Sequence, residues 1–529
     1  MSAEGQKQGT AANRVGEPGL RPGEPVAGGA AGEGGGPHPS AAREVGRGVM
    51  FIGMAKVYFM LSGSIQRYLL TRVLGAAELG DFATVNNVVS IVNNTVVQGT
   101  IQGVSKPTAE DDARAGAVQR AGIRLQAGLG LLLALALLAS APAIAAAYKA
   151  PQLSLYFRIV AAIPLLYAVY AVFIGSANGL RRFRTQASFD IGFSTAKTVL
   201  LLGLAYLWSV TGAFMGFVAA AAFILVVAYR VMHLPAGGQP FPVRRIASFM
   251  GAVVVYTGLL NLALNSDLLL LRKVALWAPG VDATTAAAVA GNYEALRTFA
   301  ILPYQALLVV TFVIFPLVSR ATFASDREAT RAYVSQTMRY ALILAGVMGI
   351  VLAARPSALF GTLYKPEFQA GADVLPILAT GQCCLALLSV ACSILNAAGR
   401  TRAPLLLMLM TLAIGSAGIA IFVPRVAPGT PMLVAAATAM ATATAIGLVG
   451  AVIVLRARLG GMPPLATIAR VALALLAAVV AARLVPGRGK IVGFAVMALA
   501  AATYCAVLVL TREFGPEDRA KFAKVFRRR

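Results

Sequence analysis

The chain has 529 residues, 58% hydrophobic and only 13% charged, with a mean hydropathy of +0.76. A water-soluble domain carries roughly 25% charged residues, so a soluble enzyme or nucleic-acid-binding domain is excluded despite a net charge of +25. Runs such as 125–147 and 405–423, apolar on every side, fit membrane-crossing helices and not the alternating strands of a spanning barrel.

Residues 1–46 are dominated by Gly, Ala, Pro, Glu and Ser, with no large apolar side chain from Gly28 to Gly36. They bury too little to offset the entropy of ordering and lack a signal peptide's apolar core, so a disordered cytoplasmic tail is expected. Spans then begin near residues 49, 82, 125, 155, 188, 212, 248, 293, 340, 373, 403, 432, 466 and 491. The fold expected is an all-α polytopic membrane protein of about fourteen transmembrane helices. It has two pseudo-symmetric six-helix lobes at 47–235 and 244–458, two extra helices at 464–511 and a basic cytoplasmic tail at 512–529.

Placing the tail inside puts the clusters Lys106–Arg124, Arg181–Arg184, Arg230–Arg245, Arg320–Arg339, Arg400–Arg402 and Arg456–Arg470 in cytoplasmic loops. Arg72, Lys149, Arg272, Lys273, Arg355 and their like fall outside. An imbalance of roughly three to one sets both termini in the cytoplasm. The lobes show a repeat: Asn178, Arg182 and Arg184 recur as Asn396, Arg400 and Arg402, and Gly80, Asp81 and Phe82 as Gly291, Asn292 and Tyr293. An even number of helices per repeat gives both copies one orientation, the parallel transporter arrangement with a cavity between the halves.

Four cations fall within spans: Lys56 and Arg67 in the first, Lys197 in the fifth and Arg297 in the eighth. Facing lipid they would cost roughly 10–14 kcal/mol together, so they face a cavity or counter-ions. The acids in reach are Asp267, Glu294, Asp81 and Asp190. Arg67, Asp267, Glu294 and Arg297 are expected at one depth, where Arg67 could pair with Asp267 and Arg297 with Glu294, while Lys197 shares a helix face with Asp190. On the second span Asn87, Asn94, Gln98 and Gln102 form a ladder of amides along one face. It lines water or packs on another helix. Asn261, Asn265, Tyr293, Tyr304 and Gln305 are the matching polar groups of the other half. Cys383, Cys384, Cys392 and Cys505 lie in apolar runs and His38 and His233 stand apart, so neither a disulfide framework, a metal site nor a cofactor is expected, and the loops are too short for a catalytic domain.

The 6+6+2 plan, the stretch Arg72-Val-Leu-Gly-Ala-Ala-Glu-Leu-Gly-Asp-Phe82 and the turn Asn178-Gly-Leu-Arg-Arg-Phe-Arg184 resemble the polysaccharide transporter, or O-antigen flippase, family. Its superfamily also holds the multidrug and toxic compound extrusion transporters and the lipid II flippases. The resemblance implies a non-enzymatic, alternating-access flippase for polyprenyl-pyrophosphate-linked sugars in a bacterial plasma membrane, with Arg67 and Arg297 holding the pyrophosphate. Lys56, Lys197, Asn87, Asn94, Gln98, Asn261 and Asn265 join them as candidate substrate-binding residues, and Asp267 and Glu294 as candidates for coupling to H+ or Na+. The partners expected are the lipid-linked sugar, the bilayer and a polysaccharide polymerase, with no nucleic acid. A lipid II flippase and an ion-coupled exporter of small organic cations are the alternatives; the latter calls for an acidic cavity, and the charges within these spans lean basic.

Overall fold

The computed structural model describes residues 39–235, 239–308, 318, 322, 326–369, 371–487, 489–515 and 518, with backbone only for 39–50, 52 and 252. The expectations for residues 1–38 (His38 among them), for Arg320 and for the tail beyond 518 lie outside the described residues. Residues 47–529 form one compact unit; of the unit formed by 1–46, residues 39–46 are helical.

The helices are α1 (Pro39–Val73), α2 (Ala76–Glu110), α3 (Ala115–Ala147), α4 (Gln152–Val160), α5 (Ala162–Gly179), α6 (Phe183–Met232), α7 (Val243–Ala275) and α8 (Ala283–Ala300), the last followed by further helix at 302–308. After them come α9 (Arg327–Ala354), α10 (Pro356–Leu363), α11 (Pro366–Gln369), α12 (Leu375–Ala397), α13 (Arg402–Phe422), α14 (Thr430–Leu459), α15 (Leu465–Leu484) and α16 (Lys490–Leu510). No strand occurs among the described residues. Ten stretches there are long and apolar enough to cross a membrane, which makes this a multi-pass membrane protein. α1, α2 and α8, also expected as spans, are helical but interrupted by polar side chains, and none of the three is among the ten.

As one rod, the 50 residues of α6 would reach about 75 Å, more than twice the hydrocarbon thickness. Instead the chain breaks at Trp208 and Ser209, where Ser209 takes φ 50°. It folds back on itself: a Cβ on Gly212 would stand 1.8 Å from the Leu204 carbonyl oxygen. α6 is therefore a hairpin of two arms, matching the two spans expected there. Tyr206 and Trp208 stand exposed at its tip, and Trp277 is exposed just past α7.

α2 is the central element, packed along α5, α7 and α8. Its first turn meets the α6 tip, where Ser209 Oγ donates to Glu78 Oε1 at 2.7 Å. Its last residue, Glu110, pairs with Arg245 at the start of α7 at 2.6 Å. Arg182 and Gln119 both meet Met232 at the base of the hairpin, so these basic stretches lie at the end opposite Trp208.

The repeat survives as geometry. At the end of α5 the amide of Arg182 donates to Ala177 and that of Arg181 to Asn178, while at the end of α12 Arg400 donates to Leu395 and Gly399 to Asn396. Both turns are closed by a residue of positive φ, Arg181 at 57° and Gly399 at 75°. Gly80 and Gly291, paired in sequence as repeat copies, also meet in space where α2 crosses α8. A Cβ on Gly80 would stand 1.8 Å from the Ala287 carbonyl oxygen, and one on Gly291 equally near that of Ala76.

α15 and α16 pack on each other and on α9. Tyr504 Oη donates to the Ile343 carbonyl at 3.0 Å. Past α16, the side chain of Glu513 is fully buried between Arg339 of α9 (2.6 Å) and Arg470 of α15 (2.8 Å). Asp518 adds a contact to Arg339 at 3.0 Å and accepts from Tyr340. Burial opposes the Glu513 charge, but hydrogen bonds from Arg470, Arg339 and Thr467 outweigh it and hold this carboxyl below its usual range. Asp518 is lowered in the same way, with burial overcome by Tyr340, the Gly515 amide and Arg339.

Candidate functional site

Arg297 stands in the last turn of α8, 6% exposed, and ties three helices together. Its Nη1 donates to Asn87 Oδ1 of α2 at 3.1 Å and lies 3.7 Å from Asp267 Oδ1 of α7 and 3.6 Å from Glu294 Oε2, one turn earlier on α8. Its Nη2 donates to Asn265 Oδ1 at 3.1 Å and to the Leu264 carbonyl. Asp267 is itself fixed, since Tyr293 Oη donates to its Oδ2 at 3.0 Å and the Leu268 amide to its Oδ1 at 2.9 Å.

The asparagines of α7 are aimed by their own helix. Asn261 and Asn265 each donate an amide hydrogen to the carbonyl four residues back, which leaves their oxygens as acceptors. Asn261 Oδ1 accepts from Asn94 of α2 at 3.3 Å, and Asn265 Oδ1 from Arg297. Asn87, Asn94, Asn261 and Asn265 thus form an interhelical seam around Arg297. The rest of the α2 ladder behaves differently: Gln98 and Gln102 are exposed, as is Asn94 beyond its bond to Asn261. Gly99 and Gly103, on another face, press on Val254 and Met250 of α7.

Arg67 does not form the expected pair with Asp267, whose two oxygens are taken by Arg297, Tyr293 and the Leu268 amide. It lies within electrostatic reach of Glu294 and Arg297, yet its Nε is buried without a hydrogen-bond partner, and it makes no ion pair among the described residues. Asp190 pairs with Lys56 at 2.8 Å rather than serving Lys197. The Lys197 ammonium instead sits 3.9 Å from the centre of the Phe217 ring. α1 and the first arm of α6 run parallel, joined by Tyr58 to Thr195 (2.7 Å) and Ser62 to Thr198 (2.9 Å).

One charge cluster escapes sequence reasoning. Arg272 was expected at the outer end of a span, yet it is fully buried. Its Nη2 donates to Asp81 Oδ1 at 2.5 Å, and its Nη1 to Thr84 Oγ1 at 2.8 Å and the Gly80 carbonyl at 3.2 Å. The Tyr148 ring flanks it at 5.5 Å, and Gln152 donates to the other Asp81 oxygen at 3.1 Å. The only hint is the acid at Asp81 on α2, five helices ahead of the arginine it meets on α7.

Chemically the arrangement offers cations, amides and hydroxyls. Among the described residues no group of His, Cys, Asp and Glu could hold a metal ion. Amides and hydroxyls can exchange hydrogen bonds with hydroxyl groups, and a guanidinium not held by carboxylates has the geometry to meet phosphate oxygens.

Among curated proteins none matches the sequence. Among solved structures the chain is similar to a lipid II flippase MurJ in an inward closed conformation, with TM-score 0.69 and 12% identity over 88% of this chain and 99% of that one. It is also similar to an inward-facing multidrug resistance MATE family transporter of the MOP superfamily (TM-score 0.61, 15% identity, 76% and 94% of the two chains). A MOP superfamily transporter from Pyrococcus furiosus, described as having a binding pocket of reverse polarity, gives TM-score 0.53 and 16% identity over 76% and 95%. These likenesses show a shared transporter fold. The family described as "Polysaccharide biosynthesis protein" matches residues 45–322, more than half of the sequence, and the chain belongs to that family.

Proposed function

We propose that the protein is a flippase that carries polyprenyl-pyrophosphate-linked oligosaccharide from the inner to the outer leaflet of a bacterial plasma membrane by alternating access, in cell-surface polysaccharide biosynthesis. The observation that carries the reading is the uncovered amide face of α2. Asn94, Gln98 and Gln102 stand exposed along a central helix, and amides facing hydrocarbon would each cost several kcal/mol. A water-filled path along that face removes the cost and lets sugar hydroxyls stay hydrogen-bonded while the polyprenyl chain remains in lipid.

Arg67, without an acid of its own, is the cation available to the pyrophosphate. Arg297 is held by Asp267 and Glu294 and joins it when either carboxylate is neutralised, which makes those two acids the coupling sites for H+ or Na+. The basic stretches gathered opposite Trp208 mark the cytoplasmic side, and both termini lie there. A polymerase acting on lipid-linked sugars would consume the product. The outward step moves two negative charges down an inside-negative potential, a gain of roughly 4.6 kcal/mol per 100 mV.

The test is translocation of fluorescent polyprenyl-pyrophosphate oligosaccharide in proteoliposomes. Transport above that of empty liposomes, reduced at least tenfold in Arg67→Ala, is expected from the loss of a charge-assisted phosphate contact. Equal rates with and without protein refute the reading.

A further inference from the structure

Three arginines crowd the turn between α5 and α6, where only residues 180–182 separate one helix from the next. Arg181, Arg182 and Arg184 are all exposed, and none of them forms an ion pair among the described residues. Arg182 Nη1 donates to Met232 Sδ at 3.7 Å, and the Arg184 guanidinium lies 5.2 Å from the centre of the Phe51 ring of α1. Both contacts orient a guanidinium, and neither neutralises it.

Arg181 is placed by the backbone. It takes φ 57°, where a Cβ is penalised, at the position that the other repeat copy gives to Gly399. A cation just past a helix C-terminus suits the helix dipole, but in the second copy Arg400 and Arg402 supply that without a positive φ. The first copy therefore keeps a third guanidinium against the preference of its own backbone. Strain of this kind is retained where binding uses it.

The turn directly follows the apolar stretch Gln152–Gly179, so it sits at headgroup level, on the side opposite Trp208. Beside Arg182 the surface becomes apolar: Val226 and Val231, in the two turns of α6 that end at Met232, are each 56% exposed. Unpaired cations at headgroup depth beside open aliphatic surface suit an amphipathic anion, with phosphate oxygens on the guanidinium forks and acyl chains over the valines.

We infer that Arg181, Arg182 and Arg184 form a site for the phosphodiester of an anionic phospholipid in the leaflet on that side, with Arg181 as the residue that sets its affinity. The inference goes beyond the flippase reading and stands without it.

The test follows thermal unfolding of the purified full-length protein in neutral detergent micelles as phosphatidylglycerol is added. The wild-type midpoint rises to a plateau, and phosphatidylcholine does not raise it. Arg181→Gly starts from a higher midpoint than wild type, because its backbone is relieved. It nevertheless needs about fivefold more phosphatidylglycerol to reach half the rise, the equivalent of about 1 kcal/mol for one cation at an anionic surface. A gain in one readout with a loss in the other separates a lost contact from a damaged fold. Arg400→Gln, in the second copy, leaves the half-saturating amount unchanged. No change of that amount in Arg181→Gly, an equal change in Arg400→Gln, or an equal rise with phosphatidylcholine overturns the inference. A rise with sugar-free polyprenyl pyrophosphate that depends on Arg181, where phosphatidylglycerol gives none, overturns it too and assigns the turn to the passenger.

Discussion

Replacing Asp81 by Asn probes the pair that joins the two halves defined by the repeat. Arg272 is fully buried, and of its three hydrogen bonds only the one to Asp81, at 2.5 Å, meets a charge; Thr84 and the Gly80 carbonyl are neutral. Removing the carboxylate charge leaves a guanidinium buried without compensation, a loss of about 3–5 kcal/mol. Arg272→Met strands the carboxylate instead, but Asp81 keeps Gln152 and some exposure, so its cost falls at the lower end of that range. The double variant Asp81→Leu/Arg272→Met removes both charges and recovers most of the loss, because a well-packed apolar pair is often as stable as a buried ion pair. The assay is unfolding of the purified protein in mixed micelles, run as a double-mutant cycle. A single Asp81→Asn within about 0.5 kcal/mol of wild type, or a double variant less stable than both singles, refutes the reasoning.

Arg297→Ala leaves Asp267 and Glu294 buried without their shared cation and destabilises by about 3–5 kcal/mol; adding Asp267→Asn and Glu294→Gln restores the unfolding midpoint, whereas Arg67→Ala lowers transport with no change in that midpoint. Gly291→Ala drives a methyl into the Ala76 carbonyl and costs about 1–3 kcal/mol in the same unfolding assay, and Gly80→Ala added to it costs less than it does alone, since the helices have already parted. Arg181→Gly relieves the positive φ that Gly399 occupies in the other repeat copy and stabilises by about 1 kcal/mol, measured by the same unfolding. Glu513 and Asp518 have lowered folded-state pKa values, so the stability they supply is complete above the ordinary carboxylate range and vanishes as pH falls through the folded values. Thermal midpoints followed against pH show a decline on that acid limb, and Glu513→Gln makes the decline shallower.

Most of the helices, the α6 hairpin and the repeat were legible in the sequence, because each rests on a local signal. Apolar runs set the spans, and the Asn178 and Asn396 turns carry the same hydrogen bonds as well as the same residues. The meeting of Arg297 with Asp267 and Glu294 followed from depth alone. Partner choice did not. Depth and helical face allowed Asp267 to Arg67 as readily as to Arg297, and Asp190 to Lys197 as readily as to Lys56; packing of α8 on α7 and of α1 on α6 decided between them. Arg272 resembled an interfacial residue because it is close to the end of its helix, and only the α2 and α7 crossing reveals an acid waiting for it. Glu513 was hidden by its basic neighbours. The amide ladder was read as one face, yet its first member, Asn87, serves Arg297, Asn94 reaches Asn261, and Gln98 and Gln102 stay open.

The two tryptophans offer a depth gauge. Indole rings favour the headgroup zone, where the ring is apolar and its N–H stays wet, and both indoles of this chain flank the first turn of α2, one at the hairpin tip and one past α7. The bilayer surface on that side therefore runs across the start of α2, only a turn or so above Asp81 and Arg272. Water has a short way to travel to reach that pair, so any thinning of the local membrane should register there before it is felt at the cluster around Arg297.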